Sequence, residues 1–168
     1  KIPHGEDFAA LKPLFPAFLA YVLSFVYIGI YWNNHHHLLH AATRVGGGVL
    51  WANLHLLFWL SLLPFVTAWM DENHFAAMPT ALYGVVLLMA AVAYWILQRA
   101  IIAAEGADSL LARAIGRDRK GNLSVLIYAA AIPIAFFHHR LAQACYVVVA
   151  LLWLVPDRRI EKAIEERH

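Results

Sequence analysis

The stretch LFPAFLAYVLSFVYIGIYWNNHHHLLHAAT, residues 14–43, decides the fold. Its first part, Leu14–Trp32, carries no charged side chain. The hydrocarbon core of a bilayer, about 30 Å thick, asks for roughly 20 apolar residues in a helix. No Gly or Pro interrupts the polar run that follows, so a single helix is predicted to continue to about Thr43. A long apolar helix that ends in amides and histidines is the first candidate span.

The rest of the chain has the same character. Of its 168 residues 62% are hydrophobic and 14% charged, and the mean hydropathy is +0.61. A soluble domain carries about 25% charged residues, and a domain this small cannot bury so much apolar surface. The composition also excludes disorder. A formal net charge of +2 is too small to point to nucleic acid. Cys145 is the single cysteine, so an internal disulfide is excluded.

Five spans are predicted, over residues 14–43, 49–70, 78–102, 123–138 and 141–156. The fold class is an all-α integral membrane protein, a helical bundle forming one transmembrane domain. The last two spans are short, and a re-entrant hairpin is the alternative to two complete crossings. Trp32, Trp51, Trp69 and Trp153 fall near span ends, as an interfacial aromatic belt requires. Gly46-Gly47-Gly48 breaks the chain after the first span, and Asp71-Glu72-Asn73-His74 forms an acidic turn. Residues 108–116 read as a short amphipathic helix in the interface, and residues 157–168 as a tail.

With five spans, ten of the 13 Lys and Arg fall on the side of the tail, and Lys1, Lys12 and Arg140 on the other. The positive-inside rule then puts the tail in the cytoplasm. It also leaves Lys1 outside with no signal peptide, so a sixth span ahead of Lys1 is expected, with this chain holding the last five.

Polar groups at membrane depth are the candidate site. Asn33, His36, His37 and His40 share one helical face, and His35 lies about 100° from His36. Asn53 and His55 sit at similar depth at the start of the next span. Inter-helix hydrogen bonds that fix packing, a polar layer bordering a pore, a metal site and a bis-histidine haem site joining His36 and His55 all remain open on these residues alone. Gly29 and Gly84 are expected to permit close helix approach. Pro64 and Pro133 are expected kinks, with Pro64 a possible hinge. No constellation for acid–base catalysis or phosphoryl transfer is present, so an enzyme is not expected.

Three motifs in order carry a resemblance: Trp32-Asn33-Asn34-His35-His36, then Leu50-Trp51-Ala52-Asn53-Leu54, then Leu63-Pro64-Phe65-Val66-Thr67. Together they resemble the transmembrane protein 175 family of potassium channels, in its short single-repeat prokaryotic branch, and the likeness runs to Pro156-Asp157-Arg158-Arg159. The resemblance implies a potassium-permeable channel of six helices per repeat. It implies a homotetramer around a central pore in the lipid bilayer, with no re-entrant carbonyl selectivity filter and no cofactor besides the permeant potassium ion. In the family the pore is lined mainly by a first helix bearing an Arg-x-x-x-Phe-Ser-Asp signature, which is absent here, so pore-lining residues are not named. Trp32, Asn34, His35, His36 and Asn53 match positions that in the family pack against that helix and support it. A histidine-ligated haem redox protein and a small transporter or scaffold are the rival functions. The charge placement makes one prediction of its own: a label on His168 reacts in inverted vesicles and is protected in intact cells.

Overall fold

The computed structural model describes residues 12, 14–40, 42–106, 109, 112 and 118–154. Apart from Ser109 and Ala112, the segment predicted over 108–116 lies outside them, as does the whole tail over 157–168. Six helices follow in order: α1 (Phe15–His40), α2 (Gly47–Ser61), α3 (Leu63–Glu72), α4 (Ala77–Glu105), α5 (Arg119–Phe137) and α6 (His139–Leu154). There is no strand among the described residues. Helix is what lipid demands of such a sequence, because each backbone N–H finds its acceptor within the same segment.

Three stretches of the described residues are long and apolar enough to cross a membrane: Gly47–Glu72, Ala77–Glu105 and Arg119–Leu154. The first is two helices, because Pro64 has no N–H to offer the Leu60 carbonyl. The break falls at Leu62, whose own N–H turns to the Trp59 carbonyl at 3.2 Å. Pro133, the other expected kink, lies inside α5 without ending it. The third stretch folds back at His138. Trp153 Nε1 donates to Ser124 Oγ at 2.8 Å, and the Tyr128 and Tyr146 rings lie 6.2 Å apart, so α5 and α6 run antiparallel. To these α1 adds an uncharged helix of 26 residues, about 39 Å long at 1.5 Å per residue.

The longest helix, α4, is the centre of the bundle. It has α2 and α3 on one side and α5 on the other. It buries residues along most of its length, from Pro79 to Ile101. The kink at Pro64 matters here, because α1 packs chiefly on α3, beyond the bend, rather than on α2. α1 also touches α6, and so closes the bundle over α3 and α6. The turn between α3 and α4 is tight: His74 and Phe75 take left-handed φ values of 49° and 58°. Phe75 N–H donates back to the Met70 carbonyl at 2.8 Å.

α4 and α6 cross closely at Gly84. A Cβ there would stand 2.8 Å from Tyr146 Cζ and nearer still to its hydroxyl. Gly29, expected to serve the same purpose, has nothing within 4 Å of a built Cβ, so no helix among the described residues approaches it there. Gly84→Ala is expected to cost about 1–3 kcal/mol by overpacking, read as a lower thermal midpoint in detergent. Tyr146→Phe removes the nearest atom at the cost of one buried hydrogen bond, about 1 kcal/mol. The double variant is expected to be more stable than the sum of the two single losses.

Candidate functional site

α1 presents two faces. Ala20, Ser24, Tyr27, Asn34 and Leu38 are buried in the bundle, at the spacing of one side of a helix. The opposite side is open: Phe18, Val22, Phe25 and Trp32 are 58%, 38%, 65% and 59% exposed, and His36 continues the row. Gly29 lies in the same row, which is why its surroundings are empty.

The sequence-predicted residues divide between these faces. Asn34 is buried, 5% exposed, and is tied on both sides. Its Nδ2 donates to the Ile30 carbonyl at 2.9 Å and to the Trp153 carbonyl at 3.2 Å. Its backbone carbonyl accepts from the Tyr94 hydroxyl at 3.3 Å. Asn34 thus joins α1 to α4 and α6. His35 is half-buried and points to α2, where Nε2 donates to Asn53 Oδ1 at 2.5 Å. That bond bridges α1 and α2 where their backbones pack little.

Trp32 and His36 do something different. Their rings stack at 5.2 Å, and His36 stacks in turn on His40 at 6.1 Å. The three form a ladder at i, i+4, i+8 on the open face. The five residues expected to act together therefore do two jobs. Asn34, His35 and Asn53 hold α1 in place, while Trp32 and His36 face outward. His55, a candidate partner for His36, is occupied on its own helix, where its Nε2 accepts from Trp59 Nε1 at 2.9 Å. Pro64 sits at the start of α3, where its ring ends the straight run of the span.

Further polar side chains tie these helices together. Glu105, at the end of α4, receives Thr43 N–H and, at 2.9 Å, Arg44 N–H, and Thr43 Oγ1 donates to its Oε2 at 2.6 Å. One carboxylate thereby fixes the loop between α1 and α2. Tyr27 donates to the Tyr146 carbonyl at 2.6 Å, and Trp153 bonds Ser124. These are aromatics of ordinary appearance in sequence. The usable signal was that buried Tyr and Trp must place a polar tip somewhere, which names the donor but not the acceptor.

A profile described as endosomal/lysosomal potassium channel TMEM175 matches residues 1–64, the part of the chain that holds α1 and α2. A potassium channel of Chryseobacterium sp. (strain P1-3) is 51% identical over 166 residues, covering 99% of this chain and 86% of that protein. A potassium channel of Streptomyces collinus is 30% identical over 102 residues, 56% of this chain and 50% of that one. No solved structure matches the chain. Near-complete coverage at this identity, together with the uncharged helix ending in its Asn and His layer, establishes that the chain belongs to the TMEM175 family of potassium channels.

Proposed function

We propose that the protein conducts potassium passively through a pore on the axis of a homotetramer, with α1, α2–α3, α4, α5 and α6 of this chain supplying five of each protomer's spans. The observation that carries this reading is the open row on α1, Phe18 to His36, set on a helix whose other side is fixed to the bundle. Scattered apolar exposure is ordinary in lipid. A row that ends in a stacked Trp–His–His ladder also offers a neighbouring helix apolar contact and ring edges able to hydrogen-bond. The pore-lining helix of each protomer packs there.

The chemistry needs no resident cofactor. An apolar constriction gates by dewetting, and a passive channel requires weak ion binding along its route. What the described residues supply is rigidity. Asn34 anchors α1 to α4 and α6, and His35 with Asn53 anchors it to α2. A pore helix leaning on α1 inherits that position. The basic side of the bundle, with Arg44, Arg99, Arg119 and Lys120, lies in the cytoplasm.

The test is potassium flux from liposomes holding the full-length protein, with chemical cross-linking to count subunits. Flux no greater than from empty liposomes, or cross-linking that stops at a dimer, rejects the reading. His35→Ala and Asn53→Ala are each expected to cost about 0.6–2 kcal/mol of stability. Their effects are expected to be non-additive, since each removes the same bond. His36→Ala is expected to leave protomer stability unchanged and to weaken the tetramer, measured by size-exclusion chromatography across a dilution series.

A further inference from the structure

A cavity of about 480 Å3 opens between α1, α4, α5 and α6, within the range of small-molecule sites. Its walls include Tyr31, Tyr128, Trp95 and Trp153. It runs along α5 from Asp118 to Tyr128, about 15 Å at helical rise. Leu126 and Trp95, 68% and 44% exposed, also line it, so it reaches the outer surface of the bundle. Among the described residues no buried side-chain nitrogen or oxygen lacks a hydrogen-bond partner. The wall is predominantly apolar, and Asn34 and Ser124 in it are already bonded, Asn34 to Trp153 and Ser124 to Trp153 and Lys120. A site of this kind has no call for water, which needs two to four polar partners. It suits a hydrocarbon chain, which gains dispersion contacts on every side.

The mouth has the opposite character. Asp118 lies there, but its carboxylate caps α5, accepting from Gly121 N–H at 2.8 Å. Three cationic residues stand next to lining residues. The Arg99 guanidinium stands 5.3 Å over the Trp95 ring, Lys120 stands 6.0 Å over the Trp153 ring, and Arg119 is exposed in the first turn of α5. Two of the tryptophans in the wall thus each carry a cation at the mouth, next to the positive end of the α5 dipole.

From this pairing of an apolar slot with a cationic rim we infer that each protomer binds one anionic phospholipid, with an acyl chain in the cavity between α1, α4, α5 and α6 and its phosphate at Arg99, Arg119 and Lys120. The site rests on the placement of the bundle in a membrane and not on conduction, so it is read by lipid retention whatever the flux assay gives. A bound chain here touches Tyr31 and Asn34 of α1 and so ties lipid composition to the helix on which the pore reading depends.

The experiment is native mass spectrometry of the full-length protein in mild detergent, titrated with phosphatidylglycerol and with phosphatidylcholine of the same chains. One phosphatidylglycerol per protomer is expected, held at least about fivefold more tightly than phosphatidylcholine. Ala150→Trp fills the cavity from α6 and is expected to abolish that retention. Arg119→Gln with Lys120→Gln changes only the rim, and is expected to erase the preference while leaving a chain bound. Equal retention of the two lipids by the unmodified protein overturns the rim assignment. Undiminished phosphatidylglycerol retention by Ala150→Trp overturns the cavity. Should Ala150→Trp not fold, brominated acyl chains that fail to quench tryptophan fluorescence in the unmodified protein overturn it equally.

Discussion

The bundle turns on one side chain, Tyr146. Its hydroxyl donates to the Thr80 carbonyl at 3.1 Å, and its own backbone carbonyl accepts from the Tyr27 hydroxyl. Its ring lies against those of Tyr83 and Tyr128, at 5.5 and 6.2 Å. Four helices, α1, α4, α5 and α6, are therefore joined at one residue. The arrangement depends on Gly84, since any side chain there occupies the space of the tyrosine ring. In lipid this matters more than in water. Packing and internal hydrogen bonds hold the helices together, because hydrocarbon outside is as apolar as leucine inside. A cluster of tyrosines combines both: large rings for contact, and hydroxyls that reach a neighbouring backbone.

The helical nature of the chain was legible in sequence because lipid leaves few choices. A run such as Leu14–Trp32, uncharged and continuing into amides and histidines, can satisfy its backbone only as a helix. The break in the second span was legible too, from Pro64 alone. What the sequence hid is which helix sits in the middle. α4 and α1 are both long and uncharged along most of their length, yet α4 is enclosed on several sides while α1 keeps an open row. Hydrophobicity does not separate the two, since lipid and protein interior look alike to an apolar residue. The glycines illustrate the same limit. Gly29 and Gly84 read identically in sequence, and only Gly84 meets another helix.

The histidine layer was legible as a layer and not as a set of contacts. Helical spacing groups His36 and His40 correctly, and they do stack. It puts His35 on another side, and that side carries the bond to Asn53. Helical spacing does not show which side of α1 faces α2. That choice follows from the bend at Pro64 and from Glu105 holding the loop at Thr43 and Arg44. A carboxylate at the end of α4 and a loop 61 residues earlier meet only in the folded bundle.

These features divide the work of the chain. The buried side of α1 is fixed at both ends: near the Tyr146 cluster through Tyr27, and near the basic side through Asn34 and His35. A helix held at two depths can move as a rigid bar with the bundle but cannot rotate about its own axis without breaking bonds at both levels. Its open row therefore keeps one direction. Constancy of direction matters more here than strength at any one contact, because a turn of one residue would replace Trp32 and His36 on that row with Asn33 and His37. At the cavity beside Tyr31 and Asn34 the support of α1 is not protein against protein. Whatever fills that space completes the wall behind α1, and an apolar chain completes it without competing for the hydrogen bonds that set its direction.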